Sequence, residues 1–170
     1  IDDVAIYPTV LSAAKVKQHY LDAGYTLAGS TPPADAYGAA VYAAEPDFYW
    51  RLAEASGTTV NDASASQLPG TYNGGITLGQ ASGIGVGGDS SVLFNGSDAT
   101  AATQSTFTNP TVYAEELWFK TNTTSGGKLI GFATNATGGS GGYDRHVYMF
   151  NDGRLRFGVW TGFTNVIDSP

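Results

Sequence analysis

Five residues near the end of the sequence, Tyr143, Arg145, Trp160, Phe163 and Asn165, are of the types that hold sugars. Exposed aromatic rings stack on the apolar faces of pyranoses, and Asn and Arg add directional hydrogen bonds. All five lie in or beside loop-like stretches, so they form the candidate ligand platform. Trp50 and Trp118 sit inside strand-like runs and are expected in the core. Hydrolytic chemistry is harder to place. Retaining glycoside hydrolysis needs two carboxyl groups about 5–5.5 Å apart. Glu115 and Glu116 are adjacent, so in a strand they point to opposite faces and cannot make that pair. The Gly-x-Ser-x-Gly match at Gly138–Gly142 lies in a glycine-rich run with no helix after it, so it is not the strand-to-helix elbow of a hydrolase nucleophile. The glycine-rich runs Gly83–Asp89 and Gly138–Asp144 do not lie between a strand and a helix, as a phosphate loop requires. His19 falls on a helix and is expected in solvent; His146, following Asp144 and Arg145, fits a turn with an ion pair or a ligand-contacting loop. The expectation is a protein that binds rather than catalyses.

Composition narrows the class further. Of the 170 residues, 14% are charged, against about 25% in ordinary globular chains, and 23 are glycine. A chain of this length is the prior for one domain and can bury roughly 70% of its unfolded surface without metal or disulfide staples. The net charge of −7 argues against nucleic acid, which demands clustered Lys and Arg, and against anionic membrane surfaces. No apolar run approaches the ~18 residues of a membrane span. With no cysteine, disulfides and thiolate chemistry are excluded. The balance of Gly, Ser, Thr and Asn against few charges reads as a secreted or cell-surface all-β protein, and the missing cysteines favour a bacterial source. The triplets at Asn95, Asn122 and Asn135 would accept glycans only in a eukaryotic secretory pathway and are set aside.

The elements that must position these residues can be read in outline. Ile1–Tyr7 alternates as a strand ended by Pro8. A short helix is expected from an N-cap at Ser12 to Tyr20, with Val16 and Tyr20 on one face and Gly24 closing it. Residues 26–36, with Pro32-Pro33, read as a linker, and no helical pattern follows. Strands are expected in FYWRLA from Phe48, SVLFN from Ser91, VYAEELWFK from Val112, KLIGFAT from Lys128, HVYMFN from His146 and RLRFGVW from Arg154. Asn151-Asp152-Gly153 is a hairpin turn between the last two. Such spacing without intervening helices predicts an antiparallel β-sandwich with one short N-terminal helix.

Two stretches resemble a known family. IDDVAIYPTVLSAAKVKQHY is similar to the closing segment of bacterial laminin-G-like, concanavalin A-like jelly-roll domains, and AVYAAEPDFYWRLAEASGTTVNDAS, from Ala40, resembles their opening. The resemblance implies that residues 1–25 close one copy and that 37–170 begin the next, whose C-terminal part is missing, within a tandem array. It implies a jelly-roll fold, and a structural Ca²⁺ whose ligands would fall at Glu54 and Asp62, with Asp2 and Asp3 at the closing-strand position of the preceding copy. Here DASASQLPG replaces the family's glycine-containing turn. Enzymes of similar fold space their acidic residues as Glu-x-Asp-x-Glu or Glu-x-Asp-x-x-Glu, neither of which Glu115-Glu116 matches. The expected role is a non-catalytic binding or adhesion module for polysaccharide or glycoprotein, packed beside further copies. The alternatives are a structural stalk repeat or an accessory domain of a distant hydrolase.

Overall fold

The computed structural model describes residues 4–11, 13–25, 31–85 and 89–170. They form nine strands in antiparallel sheets and two short helices. The chain divides into two compact units, Ile1–Trp50 with Asp62–Gln67, and Arg51–Asn61 with Leu68–Pro170.

The first unit holds both helices. Helix α1 spans Ala13–Asp22, as expected, and its end follows from Gly24. That residue adopts φ 85°, which a side chain resists, and it lets Gly24 N–H reach Leu21 O (2.9 Å) and Tyr25 N–H reach Tyr20 O (3.3 Å). The Tyr20 and Tyr25 rings stack at 4.9 Å, the apolar contact that accompanies this cap. The N-cap position Ser12 lies outside the described residues. Helix α2, Ala36–Ala43, replaces the helix-free stretch expected after Gly24. Asp35 caps it by accepting from Gly38 N–H at 2.7 Å. Its sequence AYGAAVYA is apolar all round, so it carries no amphipathic signal, yet its alanines favour a helix. Val4–Tyr7 forms no strand and is exposed.

The second unit contains the sheets. Strands β1 (Thr59–Val60), β2 (Gly70–Asn73) and β5 (Thr100–Thr103) form one; β3 (Ile76–Ala81) and β4 (Ser90–Phe94) form a second; β6 (Gly127–Ala133), β7 (Tyr143–Met149), β8 (Leu155–Trp160) and β9 (Thr164–Asp168) form a four-stranded meander. Among the described residues the buried apolar side chains are Val60, Tyr72 and Met149. The β7–β8 turn is the expected one: Gly153 N–H bonds Phe150 O at 3.0 Å with Gly153 at φ 89°.

Besides Val4–Tyr7, two further expected strands do not form. At Phe48–Ala53 only an isolated bridge from Trp50 to Asp62 exists. Val112–Lys120 joins no ladder, although Tyr113, Glu115 and Leu117 are half-buried while Val112, Ala114, Glu116 and Trp118 are exposed. The period-two pattern is real, but alternation alone does not supply a pairing partner. Trp118 is therefore on the surface rather than in the core, and Trp50 is only half-buried.

Candidate functional site

Strand β7 builds the site through an irregularity. Its partner register on β6 steps from Gly131↔His146 to Phe132↔Asp144, so Arg145 is an extra residue in the strand. Arg145 takes φ 45°, the left-handed conformation of a bulge residue. Without the bulge, alternation would send Tyr143 and His146 to opposite faces. With it, both lie on one face and their rings meet at 5.6 Å. His146 then contacts Tyr148 at 5.4 Å, and Tyr148 contacts Phe150 at 5.0 Å. Four rings thus run in file along one side of β7.

Glycines on the neighbouring strands flank the middle of this row, where His146, Tyr148 and Phe150 are half-buried. His146 pairs with Gly131 on β6 and Gly158 on β8. A Cβ on Gly158 would stand 3.5 Å from His146 Nε2 and one on Gly131 only 2.4 Å from His146 Cβ, so the glycines give the imidazole its room. Burial, reinforced by the Lys128 charge and opposed by Asp144, lowers the His146 pKa. Trp160, two residues beyond Gly158, shares its face and is 59% exposed, while Tyr143 is 65% exposed. Asp144 ties the end together: its Oδ1 accepts from Trp160 N–H at 2.7 Å and Arg145 N–H at 2.8 Å.

Opposite Tyr148 on the two flanking strands stand Lys128 and Arg156, and opposite Arg156 stands Asp168. Arg156 grips Asp168 with two bonds, 2.6 and 2.7 Å, and the pairing holds the Asp168 carboxyl below its ordinary range. The Arg156 and Arg154 guanidinium groups lie over the Phe150 ring at 4.7 and 5.3 Å.

The five residues expected to form a platform are thus divided. Tyr143 and Trp160 share the face just described. Phe163 is 65% exposed in the β8–β9 turn. Asn165 supports that turn, its amide donating to Thr161 Oγ1 (2.8 Å) and Phe163 O (3.2 Å). Arg145 is buried: its Nε donates to Pro110 O at 2.8 Å, it pairs with Asp144, and its guanidinium lies 5.5 Å from the Tyr113 ring centre. His146, in neither a turn nor a loop, stands in mid-strand. His146, Tyr148, Phe150, Lys128 and Arg156 were not among the expected site residues. The alternation His-x-Tyr-x-Phe over 146–150 carries the signal for three of them.

Elsewhere two carboxylates organise loops. In the second unit, Glu54 Oε1 accepts from the Asn61 backbone and side-chain amides (2.7 and 3.1 Å), and Oε2 accepts from Tyr72 O–H at 2.7 Å. Burial and this carboxylate raise the Tyr72 pKa. In the first unit, Asp62 Oδ1 accepts from Tyr49 N–H (2.7 Å) and Ser64 N–H (2.8 Å), and Oδ2 accepts from Ser64 O–H (2.8 Å). Each of these two carboxylates thus accepts three hydrogen bonds from neighbouring N–H and O–H groups. Among the described residues no group of three or more His, Asp or Glu is placed to hold a metal; Asp2 and Asp3 lie outside those residues.

Glu115 is half-buried, and burial pushes its carboxyl up to about 7 against the opposing pull of Arg145. Its Oε2 and the nearby Tyr113 hydroxyl are buried without hydrogen-bond partners. Glu116 is exposed on the alternate face. No helix among the described residues is long and apolar enough to cross a membrane. Compared with protein-family models, curated proteins and solved structures, the chain matches none.

Proposed function

We propose that this protein is a non-catalytic carbohydrate-binding module of the cell exterior, and that a linear polysaccharide lies along the ring file of β7. The observation that carries the reading is the Tyr143–His146–Tyr148–Phe150 row, whose steps of 5.0–5.6 Å are close to the length of one pyranose unit. Successive sugars set an apolar face along the Tyr143–His146–Tyr148 part of the row, with Trp160 as a flanking wall, while Phe150 lies beneath the Arg154 and Arg156 guanidinium groups. The rings are held in a ladder, so little conformational entropy is lost on binding. In this reading the antiparallel sheets belong to a laminin-G-like jelly roll. A structural stalk repeat is the second reading, favoured by the exposed Val112 and Trp118 of the unladdered segment.

Affinity electrophoresis through gels containing soluble glucan, xylan, mannan and polygalacturonate tests the binding reading. At least one polymer should retard the wild-type chain. Trp160→Ala and Tyr143→Ala should abolish that retardation while the melting temperature stays within a few degrees, because both rings are exposed. Retardation that survives both substitutions would overturn the assignment to this face.

A further inference from the structure

We infer that the ring file takes an acidic polysaccharide, one whose pyranoses carry carboxylates, and that Lys128 pairs with the carboxylate of the sugar stacked on Tyr148. This rests on the carbohydrate reading above and names its ligand class. The first observation is the distribution of charge. Residues 127–170 hold four Lys and Arg against three carboxylates, whereas residues 1–126 hold four against twelve. The meander carrying the rings has a net charge of +1 in a chain whose net charge is −7, so a polyanion is repelled less there than by the acidic first 126 residues.

The second is the row Lys128–Tyr148–Arg156–Asp168, four directly opposed residues on four adjacent strands. With strands about 4.8 Å apart, Lys128 and Arg156 stand one strand away on either side of the Tyr148 ring. Arg156 is already satisfied by Asp168 through two bonds. Lys128 is exposed and has no ion pair among the described residues. An equatorial substituent on a sugar seated over Tyr148 projects sideways, toward the strand that carries Lys128. A single carboxylate there meets a single unpaired ammonium. Arg154 and Arg156, over Phe150, are each already paired, with Asp152 and Asp168, which among the described residues leaves Lys128 as the unpaired cation beside Tyr148. The other ionisable groups on this face are His146, Tyr143 and Tyr148; Asp144 flanks it with its carboxylate taken up by Arg145 and Trp160.

Polygalacturonate and the same polymer fully methyl-esterified differ in charge and share a backbone. Calorimetric titration of the intact chain should show the free acid binding at least tenfold tighter than the ester. That preference should shrink as salt is raised and fall about fivefold or more in Lys128→Gln, while Lys120→Gln, a change at an exposed lysine outside the sheet, leaves it intact. In an NMR titration, the bound acid should move the His146 pKa upward, since it offsets the Lys128 charge. Equal affinity for acid and ester, or no change in Lys128→Gln, would overturn the inference. Binding to neutral xylan or glucan without binding to polygalacturonate or alginate would overturn it and leave the carbohydrate reading standing. Failure of every polymer, neutral and acidic, would remove both.

Discussion

Replacing Glu115 by Gln should change the way stability depends on pH. Burial raises this carboxyl from 4.5 to about 7, so folding favours its protonated form. The stability contributed by that form is fully present below the unfolded value of 4.5 and is lost as pH rises through about 7. A shift of 2.5 units corresponds to roughly 3 kcal/mol at 1.36 kcal/mol per unit. The side chain is only half-buried and Arg145 is close, so solvent screening reduces the net effect to about 1 kcal/mol. The lowered pKa of His146 acts in the opposite sense, since stability from a neutral imidazole is lost as pH falls below about 6.5. Comparing the wild-type chain with Glu115→Gln cancels that contribution, because both proteins keep His146. Urea unfolding at pH 4.5, 6, 7 and 8.5 should show the variant gaining about 1 kcal/mol on the wild type across the range, with the change concentrated between pH 4.5 and 7. A difference that is flat with pH, or that runs the other way, would refute the raised pKa of the half-buried Glu115.

Other outcomes follow from single contacts. Asp62→Ala removes the acceptor for three donors, one of them the hydroxyl of Ser64, which is 1% exposed. It should cost about 3 kcal/mol in denaturant unfolding, with Asp62→Asn losing less. Gly131→Ala places a Cβ 2.4 Å from that of His146 at a φ of 154° and should cost about 2 kcal/mol, with the His146 ring signals shifting in NMR spectra. Asp35→Ala deletes the N-cap of α2 and should lose about 1 kcal/mol, read as reduced protection of the amides of residues 36–39. Calcium titrated into metal-free protein should leave the melting temperature unchanged, since N–H and O–H donors already occupy Glu54 and Asp62; a rise of several degrees, removed by Glu54→Gln or Asp62→Asn, would place a cation there.

Elements that signal their own ends were legible in the sequence. Gly24 closes α1, and Asn151-Asp152-Gly153 forces the β7–β8 turn, because each needs a backbone conformation that few residues tolerate. Helix α2 was hidden because a uniformly apolar octapeptide has no face to detect. Strands β2 and β5, GTYN and TAAT, were hidden because Gly, Thr and Ala carry little strand signal without their cross-strand partners. The opposite error arose at Val4–Tyr7 and Val112–Lys120, where strand-like composition occurs in chain that joins no ladder among the described residues. The site was half legible. Tyr143 and Trp160 were picked out by type, but the row linking Tyr143 to His146 depends on the bulge at Arg145. A bulge is a register choice between two strands and leaves no periodic trace in either. Arg145 itself illustrates the cost: a residue suited to binding sugar spends its guanidinium on Pro110 and Asp144 instead.

Chemical-shift mapping with a saturating oligosaccharide, using a hexamer of whichever polymer retards the chain, tests the ring file most directly. If a polysaccharide lies along β7, the largest changes will fall on the ring signals of Tyr143, His146, Tyr148 and Phe150 and on the Trp160 indole, in an unbroken path across that face, while Trp50 and Trp118 stay still. Changes centred on the β1–β2–β5 sheet or on Trp118, with the His146 ring unmoved, would contradict it.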